Sequence, residues 1–226
     1  MRITVLTGAG ISAESGIRTF RASDGLWENH RIEDVATPEG FRRDPALVHR
    51  FYNQRRATAV RAQPNAAHRA LARLARHHHL TLITQNVDDL HERGGSTEVI
   101  HMHGSLLGAL CAACGCRWPA PLVMRAQDLC PSCGAPETRP DIVWFGEIPY
   151  HMEAIWAAVE NAGIFAAIGT SGLVYPAAGL AQHARRNGAE TIELNLVDSA
   201  VSRDFTQRRI GPATTVVPEW VDMLCS

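Results

Sequence analysis

Four short apolar runs, at residues 3–7, 80–84, 164–168 and 191–196, leave this chain few folds to choose from. Each is bounded by turn residues and is mostly apolar, as expected of a strand buried on both faces. The stretches between them carry apolar residues at helical spacing. Asp44 followed by Pro45 gives an N-cap and a first turn, after which Leu47, Val48, Phe51 and Tyr52 recur on one face. Residues 64–78 place Ala67, Leu71 and Leu74 together, and residues 176–187 end at Gly188, a natural C-cap. Parallel strands need crossover connections of this length, whereas antiparallel ones need only a turn. The alternation predicts an α/β fold, a Rossmann-like parallel sheet with helices on both faces. A last strand is expected at 214–217 and a closing helix at 220–224.

Residues 108–140 break the rhythm. They are rich in Cys, Pro and Gly and read as a small inserted zinc-ribbon module. Residues 1–107 and 141–226 then form the larger domain, with part of 23–62 as a helical insertion contributing to the smaller one. Cys111 and Cys114 form one C-x-x-C pair, and fifteen residues later Cys130 and Cys133 form another. Two such pairs supply four thiolates for tetrahedral zinc, and four ligands leave no open position, so the metal is structural. Cys116 is a bystander. Clustered cysteines of this kind indicate a reducing compartment rather than a disulfide framework, so a cytoplasmic location is expected. The first ten residues lack the features of a signal peptide, and no run approaches the roughly 18 apolar residues of a membrane span.

Charge removes further classes. The net charge is −1, with no basic run interleaved with aromatics, which argues against nucleic acid. A zinc ribbon can bind DNA or protein, but Arg117, Arg125 and Arg139 are offset by Asp128, Glu137 and Asp141. All 22 basic residues are arginine. Without lysine, Schiff-base chemistry and a Walker-type phosphate site are excluded.

Gly8-Ala9-Gly10-Ile11-Ser12-Ala13 follows the first strand directly. Glycines there let backbone amides approach a pyrophosphate. A hydride-transferring Rossmann enzyme would show a second strand ending in an acid about 20 residues on. Trp27-Glu28-Asn29-His30 stands there instead, which disfavours a dehydrogenase. His101 and His103 lie at a strand end, where alternation sends both to one side; either suits a structural role or that of a general base. Gln85, Asn86, Val87 and Asp88 close the strand at 80–84, where they could orient a ligand amide, or Asp88 could cap the next helix. Tyr52 and Arg55 share a helix face and could grip a carboxylate, or could be a half-buried tyrosine beside a snorkelling arginine.

Together these residues resemble the sirtuin family. Gly8 to Ile17 with Phe20-Arg21 resembles its opening signature, and Thr84-Gln85-Asn86-Val87-Asp88 with Leu90-His91 its second motif. His101-Met102-His103-Gly104, the paired cysteines, Gly169-Thr170-Ser171 and Asn195-Leu196 follow in the family's order. The resemblance implies NAD as a consumed co-substrate, one structural zinc ion, and an acyl-lysine protein or peptide as partner. It implies that Gly8, Ala9, Gly10, Ser12, Glu14 and Ser15 line the dinucleotide site. Ile17, Phe20, Arg21, Trp27, Gln85 and Val87 would join them, as would Gly169, Thr170, Ser171, Asn195, Leu196, Val197 and Ala213. Asn86 and Asp88 would hold the nicotinamide amide and its ribose, and His103 would be the general base. Residues Val143, Trp144 and Phe145 would pair with the substrate backbone by β-augmentation.

Within the family, Tyr52-x-x-Arg55 resembles bacterial members that remove succinyl and malonyl groups and commonly acetyl groups too. The products would be free lysine, nicotinamide and an O-acyl-ADP-ribose. Arg18 stands where many sirtuins carry proline. An NAD-dependent mono-ADP-ribosyltransferase and a non-enzymatic zinc-ribbon module that senses NAD are the alternatives. No helix face has surplus apolar residues, so a monomer is expected.

Overall fold

The computed structural model describes residues 1–18, 26–27 and 30–226. The chain opens with β1 (Arg2–Thr7), a 3-10 turn at Ala9–Ser15, and a ribbon of β2 (Leu26–Trp27) and β3 (His30–Arg31). Helices α1 (Ile32–Val35), α2 (Pro38–Arg43), α3 (Pro45–Arg61) and α4 (Ala66–His77) follow. Next come β4 (His79–Thr84), α5 (Leu90–Arg93) and β5 (Val99–His101). Strands β6 (Gly104–Cys111), β7 (Arg117–Pro119) and β8 (Thr138–Ile142) make a separate antiparallel sheet. The chain finishes with α6 (Met152–Glu160), β9 (Ile164–Ile168), α7 (Leu180–Arg186), β10 (Glu190–Asn195), β11 (Gln207–Ile210) and α8 (Ala213–Cys225).

The main sheet runs β11-β10-β9-β1-β4-β5, and every pairing in it is parallel. Side chains alternate across it, as the pleat requires. Ile3, Val5, Ala166, Ile168, Ile192 and Leu194 pack with α4 and α8 on one face. Leu6, Ile83, Phe165 and Ala167 pack with α6 and α7 on the other. Helices on both faces explain why these strands read as mostly apolar runs rather than as alternating ones. From β1 the chain builds outward through β4 to β5, then returns to β9 on the opposite side. That reversal opens a crevice beyond the carboxyl ends of β1 and β9, the switch point where doubly wound sheets bind ligands.

A third apolar cluster joins α3 to the antiparallel sheet through Val48, Phe51, Tyr52, Leu106, Ile142 and Trp144. Helix α3 begins as expected, with the Asp44 carboxylate accepting from Leu47 N at 2.9 Å and Pro45 in the first turn. Asn65 caps α4, and the His68 ring completes the capping box.

The structure corrects the sequence reading in three places. Residues 214–217 are not a strand: α8 runs unbroken from Ala213 through Pro218 to Cys225. Their β-branched side chains suggested a strand, but helical spacing buries Val216, Val217, Trp220 and Val221 against the core. At about 1.5–3 kcal/mol per buried side chain, that burial outweighs the roughly 3 kcal/mol cost of an interior proline. The true last strand is β11, an edge strand of sequence QRRI whose polar composition hid it. The helix expected at 176–187 starts as a 3-10 turn at Ala177–Gly179 before α7. Among the described residues, no helix is long and apolar enough to cross a membrane.

Candidate active site

The glycine turn after β1 and the one after β9 meet at the switch point. Gly8 N donates to Ile168 O and Gly10 N to Gly169 O, both at 2.9 Å. A Cβ on Gly8 would sit 2.7 Å from Gly169 O, and one on Gly10 would sit 2.6 Å from Gly169 Cα. Gly169 itself has φ +62°, and its Cβ would lie 2.5 Å from Ile11 N. Only glycine fits where the two backbones cross, so no side chain stands between them and the crevice.

A cavity of about 890 Å³ opens from this point. Gly8, Ala9, Gly10, Ser12, Glu14 and Ile17 line it from the first turn. Gly169, Thr170, Ser171, Asn195, Leu196, Val197 and Ala213 line it from the ends of β9 and β10 and the start of α8. Leu196 and Val197 form an exposed lip, 65% and 66% accessible. The Asn195 amide donates to Thr170 O at 2.8 Å and ties those ends together. Glu14 accepts from Thr214 N at 3.0 Å and Thr214 Oγ1 at 2.7 Å, so it caps α8 from across the cleft. Ser15 is a correction. It does not line the cavity, and its hydroxyl accepts from Asn65 Nδ2 at 3.0 Å. Phe20 and Arg21 lie outside the described residues, and of Trp27 only the backbone, paired in the ribbon, is described.

Gln85, Asn86, Val87 and Asp88 follow β4 and reach the same cavity. Asn86 Nδ2 donates to Ser12 Oγ at 3.2 Å, and Ser12 Oγ donates to Asp88 Oδ2 at 3.3 Å. Asp88 also accepts from Leu90 N at 3.2 Å, but the residue at the N-cap of α5 is Asp89. Burial raises the Asp88 pKa, partly offset by the hydrogen bonds from Leu90 and Ser12. Beneath this trio lies a polar layer that sequence reasoning missed. His91 Nε2 meets Thr7 Oγ1 at 2.9 Å, Thr7 meets Thr84 at 2.9 Å, and His68 Nε2 lies 3.4 Å from Ser12 Oγ. Burial holds the His68 pKa down at about 4 and the His91 pKa well below its ordinary value, so both rings are neutral. His91 was marked only as part of the second motif, and His68 only by its place in the amphipathic stretch at 64–78.

The two candidate histidines part company. The strand stops at His101, so alternation does not carry on to His103. His101 Nε2 lies 2.7 Å from Glu92 Oε1; burial opposes its charged form, but Glu92 outweighs that and raises the pKa. It is a structural contact, an ion pair when the ring is protonated. His103 lines the cavity, with Nδ1 3.1 Å from Gln85 O. A carbonyl can only accept, so Nδ1 carries the proton and Nε2 keeps its lone pair. Burial lowers the His103 pKa below 6.5, against a smaller upward effect of the Gln85 bond. The ring is therefore a free base at neutral pH.

At the far end, Tyr52 and Arg55 from α3 line the cavity with Phe51 and Leu106. The Arg55 guanidinium lies over the Phe51 ring, 5.7 Å from its centroid. Tyr52 is fully buried in the wall, and its hydroxyl accepts from Trp144 Nε1 at 3.0 Å. Burial raises its pKa to about 12, so the phenol stays protonated. Val143, Trp144 and Phe145 border this end, beyond the last residue of β8. Their N–H groups already bond to His103 O, Glu147 Oε2 and Ala36 O. A peptide laid along these three residues would meet acceptors rather than donors.

The four cysteines converge as their spacing demands. Sγ atoms of Cys111, Cys114, Cys130 and Cys133 all lie within 4.8 Å of one another. Cys111–Cys133 and Cys114–Cys130 are each 3.7 Å apart. That is far too long for a disulfide, whereas Zn–S bonds of ~2.3 Å in a tetrahedron put sulfurs about 3.8 Å apart. Gly115 and Gly134, at φ +73° and +74°, turn the chain after each pair, so two matching knuckles face each other. The residues present fit a zinc ion.

A doubly wound sheet with glycine turns crossing at its switch point is a dinucleotide-binding architecture. The chain belongs to the Sir2 family, whose model matches residues 8–176. It is 56% identical over 225 residues to the "NAD-dependent protein deacylase" of Vibrio cholerae serotype O1, covering 97% of this chain and 92% of that protein. It is similar to a solved Sir2 homolog–NAD complex at 40% identity and TM-score 0.91, covering 99% of this chain and 89% of that one. A Sir2 bound to acetylated peptide matches at 27% identity and TM-score 0.84, covering 100% and 94%.

Proposed function

We propose that this chain is an NAD-dependent protein-lysine deacylase that removes succinyl and malonyl groups as well as acetyl groups. The observation that carries the reading is the placement of His103. Its unprotonated Nε2 belongs to a ring that lines the same cavity as the crossed glycine turns and the Tyr52–Arg55 pair. A nucleotide's sugar, a base and an acyl amide can therefore share one enclosed space.

When bound, NAD supplies an electrophilic ribose carbon as its nicotinamide departs. The crossed turns at Gly8, Gly10 and Gly169 admit the pyrophosphate, and Asn86 and Asp88 face the nicotinamide and its ribose. Once the acyl oxygen has displaced nicotinamide at the ribose C1′, His103 Nε2 would take the proton of a ribose hydroxyl, whose oxygen then bonds the acyl carbon. One water supplies the remaining oxygen, and lysine leaves as the free amine. The products are free lysine, nicotinamide and an O-acyl-ADP-ribose. Arg55 and the Tyr52 hydroxyl receive an acidic acyl group, because guanidinium and phenol are both donors. Cys111, Cys114, Cys130 and Cys133 hold a structural zinc ion. Residues 108–140, with part of 23–62 as a helical insertion, then form a small module beside a domain made of 1–107 and 141–226. Thiolate ligands suit a reducing cytoplasm.

His103→Ala should lower nicotinamide release coupled to an acyl-lysine peptide by about a hundredfold or more. Retention of most of the rate would overturn the base assignment. Mass spectrometry of the wild-type reaction should show O-acyl-ADP-ribose. An ADP-ribosylated protein would make the chain a transferase of another kind, and absence of turnover would make it a binding module.

A further inference from the structure

Tyr52 has a property that its place in the wall does not require. Its hydroxyl accepts from the Trp144 indole, a group that can only donate. The phenol's own proton must then point elsewhere, and no acceptor among the described residues takes it. A fully buried hydroxyl is thus left with a donor in hand next to Arg55, which has no acceptor to offer. Buried donors are rarely left this way, and this one borders the cavity.

Trp144 is itself held from behind. Its ring is 2% exposed and stacks on the Arg139 guanidinium, whose Cζ lies 3.4 Å from the ring centroid. Arg139 is gripped by Glu147 through bonds of 2.6 and 2.9 Å, and Glu147 Oε2 also accepts from Trp144 N at 2.8 Å. The indole has little freedom to turn away from the phenol.

We propose that Trp144 is a specificity-determining residue for acidic acyl groups, acting through Tyr52. By occupying a lone pair of the phenol, the indole N–H makes the hydroxyl an obligate donor toward the acyl tunnel. Two convergent donors favour a carboxylate and give nothing extra to a methyl group. This rests on the acyl assignment made above and adds a residue whose role there concerned only its backbone.

The test is a double-mutant cycle on one peptide carrying either succinyl- or acetyl-lysine, comparing wild type, Trp144→Phe, Tyr52→Phe and the double variant. Phenylalanine keeps a ring on Arg139 and removes the N–H together with part of the indole's bulk, a packing loss that acts on both acyl substrates and so drops out of their ratio. Trp144→Phe should lower the succinyl-to-acetyl ratio of kcat/KM by about five- to tenfold, mainly through the succinyl KM, the scale of one hydrogen bond. In the Tyr52→Phe background the same change should move the ratio by less than twofold, because the group it acts through is gone. Independent, multiplying effects, or an unchanged ratio in Trp144→Phe, would overturn the inference while leaving Tyr52 and Arg55 in place. A wild type that does not remove succinyl groups would bring down the acyl reading itself. Calorimetric titration of the succinyl peptide, beside a melting curve, separates lost recognition from lost folding.

Discussion

The two ends of the cavity are built from different materials. At the nucleotide end the decisive contacts are backbone: Gly8, Gly10 and Gly169 cross so closely that a Cβ has no room. At the acyl end they are side chains from two separate segments, with Tyr52, Arg55 and Trp144 brought together by α3 and the stretch after β8. A backbone site tolerates no change of residue and serves any substrate that carries the same cofactor. A side-chain site can be retuned one group at a time. On the proposed reading, the chemistry common to all acyl groups sits on the backbone-built end, and the choice among acyl groups on the side-chain one.

Gly169→Ala should be the most severe break of this contrast. It places a Cβ against Ile11 N in a left-handed backbone, at a cost of roughly 2–4 kcal/mol. Deacetylation and desuccinylation should fall together, with weaker NAD binding by titration calorimetry; a selective loss of one would refute a purely backbone role. At the opposite end, Tyr52→Phe combined with Arg55→Met should reduce desuccinylation by about a hundredfold while deacetylation survives, since a charge-assisted carboxylate contact is worth about 1.5–3 kcal/mol. Equal loss of both activities would show that the acyl end is not separable.

The polar layer beneath the nucleotide end offers a smaller test. His68 and His91 have folded pKa values depressed by burial, while the unfolded rings titrate near 6.5. The unfolded chain therefore binds more protons below that pH, and stability should be complete above about 6.5 and decline as pH falls toward 4. His101 works in the opposite sense, its raised pKa favouring the fold until pH passes above it. Melting temperatures measured from pH 7.5 to 4.5 should drop on the acid side, and His68→Asn should flatten that slope. The smallest effect expected is on the rate profile. Because burial lowers the His103 pKa, the acid limb of kcat/KM for the free enzyme should fall below pH 6.5. A limb above that value would contradict a buried free base.

Legibility followed the same division. The inner strands of the main sheet were readable because burial on both faces makes each a mostly apolar run. The glycine turns and paired cysteines were readable because backbone clearance and metal geometry dictate residue type at fixed spacing. The strand β11 was not, because an edge strand buries little and its sequence carries no apolar pattern. Residues 214–217 misled because β-branched propensity is weaker than the packing of Val216, Val217 and Trp220 on the sheet. His103 was separated from His101 only by the end of β5, one residue after which the alternation no longer holds.

The sequence by itself determined the alternating architecture, the crossing glycines and the four-thiolate cluster, since each is forced by local sterics, periodicity or ligand count. Only the tertiary structure decided that Ser15 turns to Asn65 and not to the cleft, that His103 and not His101 faces the cavity, and that an indole 92 residues from Tyr52 donates to its hydroxyl. Those outcomes depend on which surfaces the packed helices and strands bring into contact. No spacing along the chain encodes that.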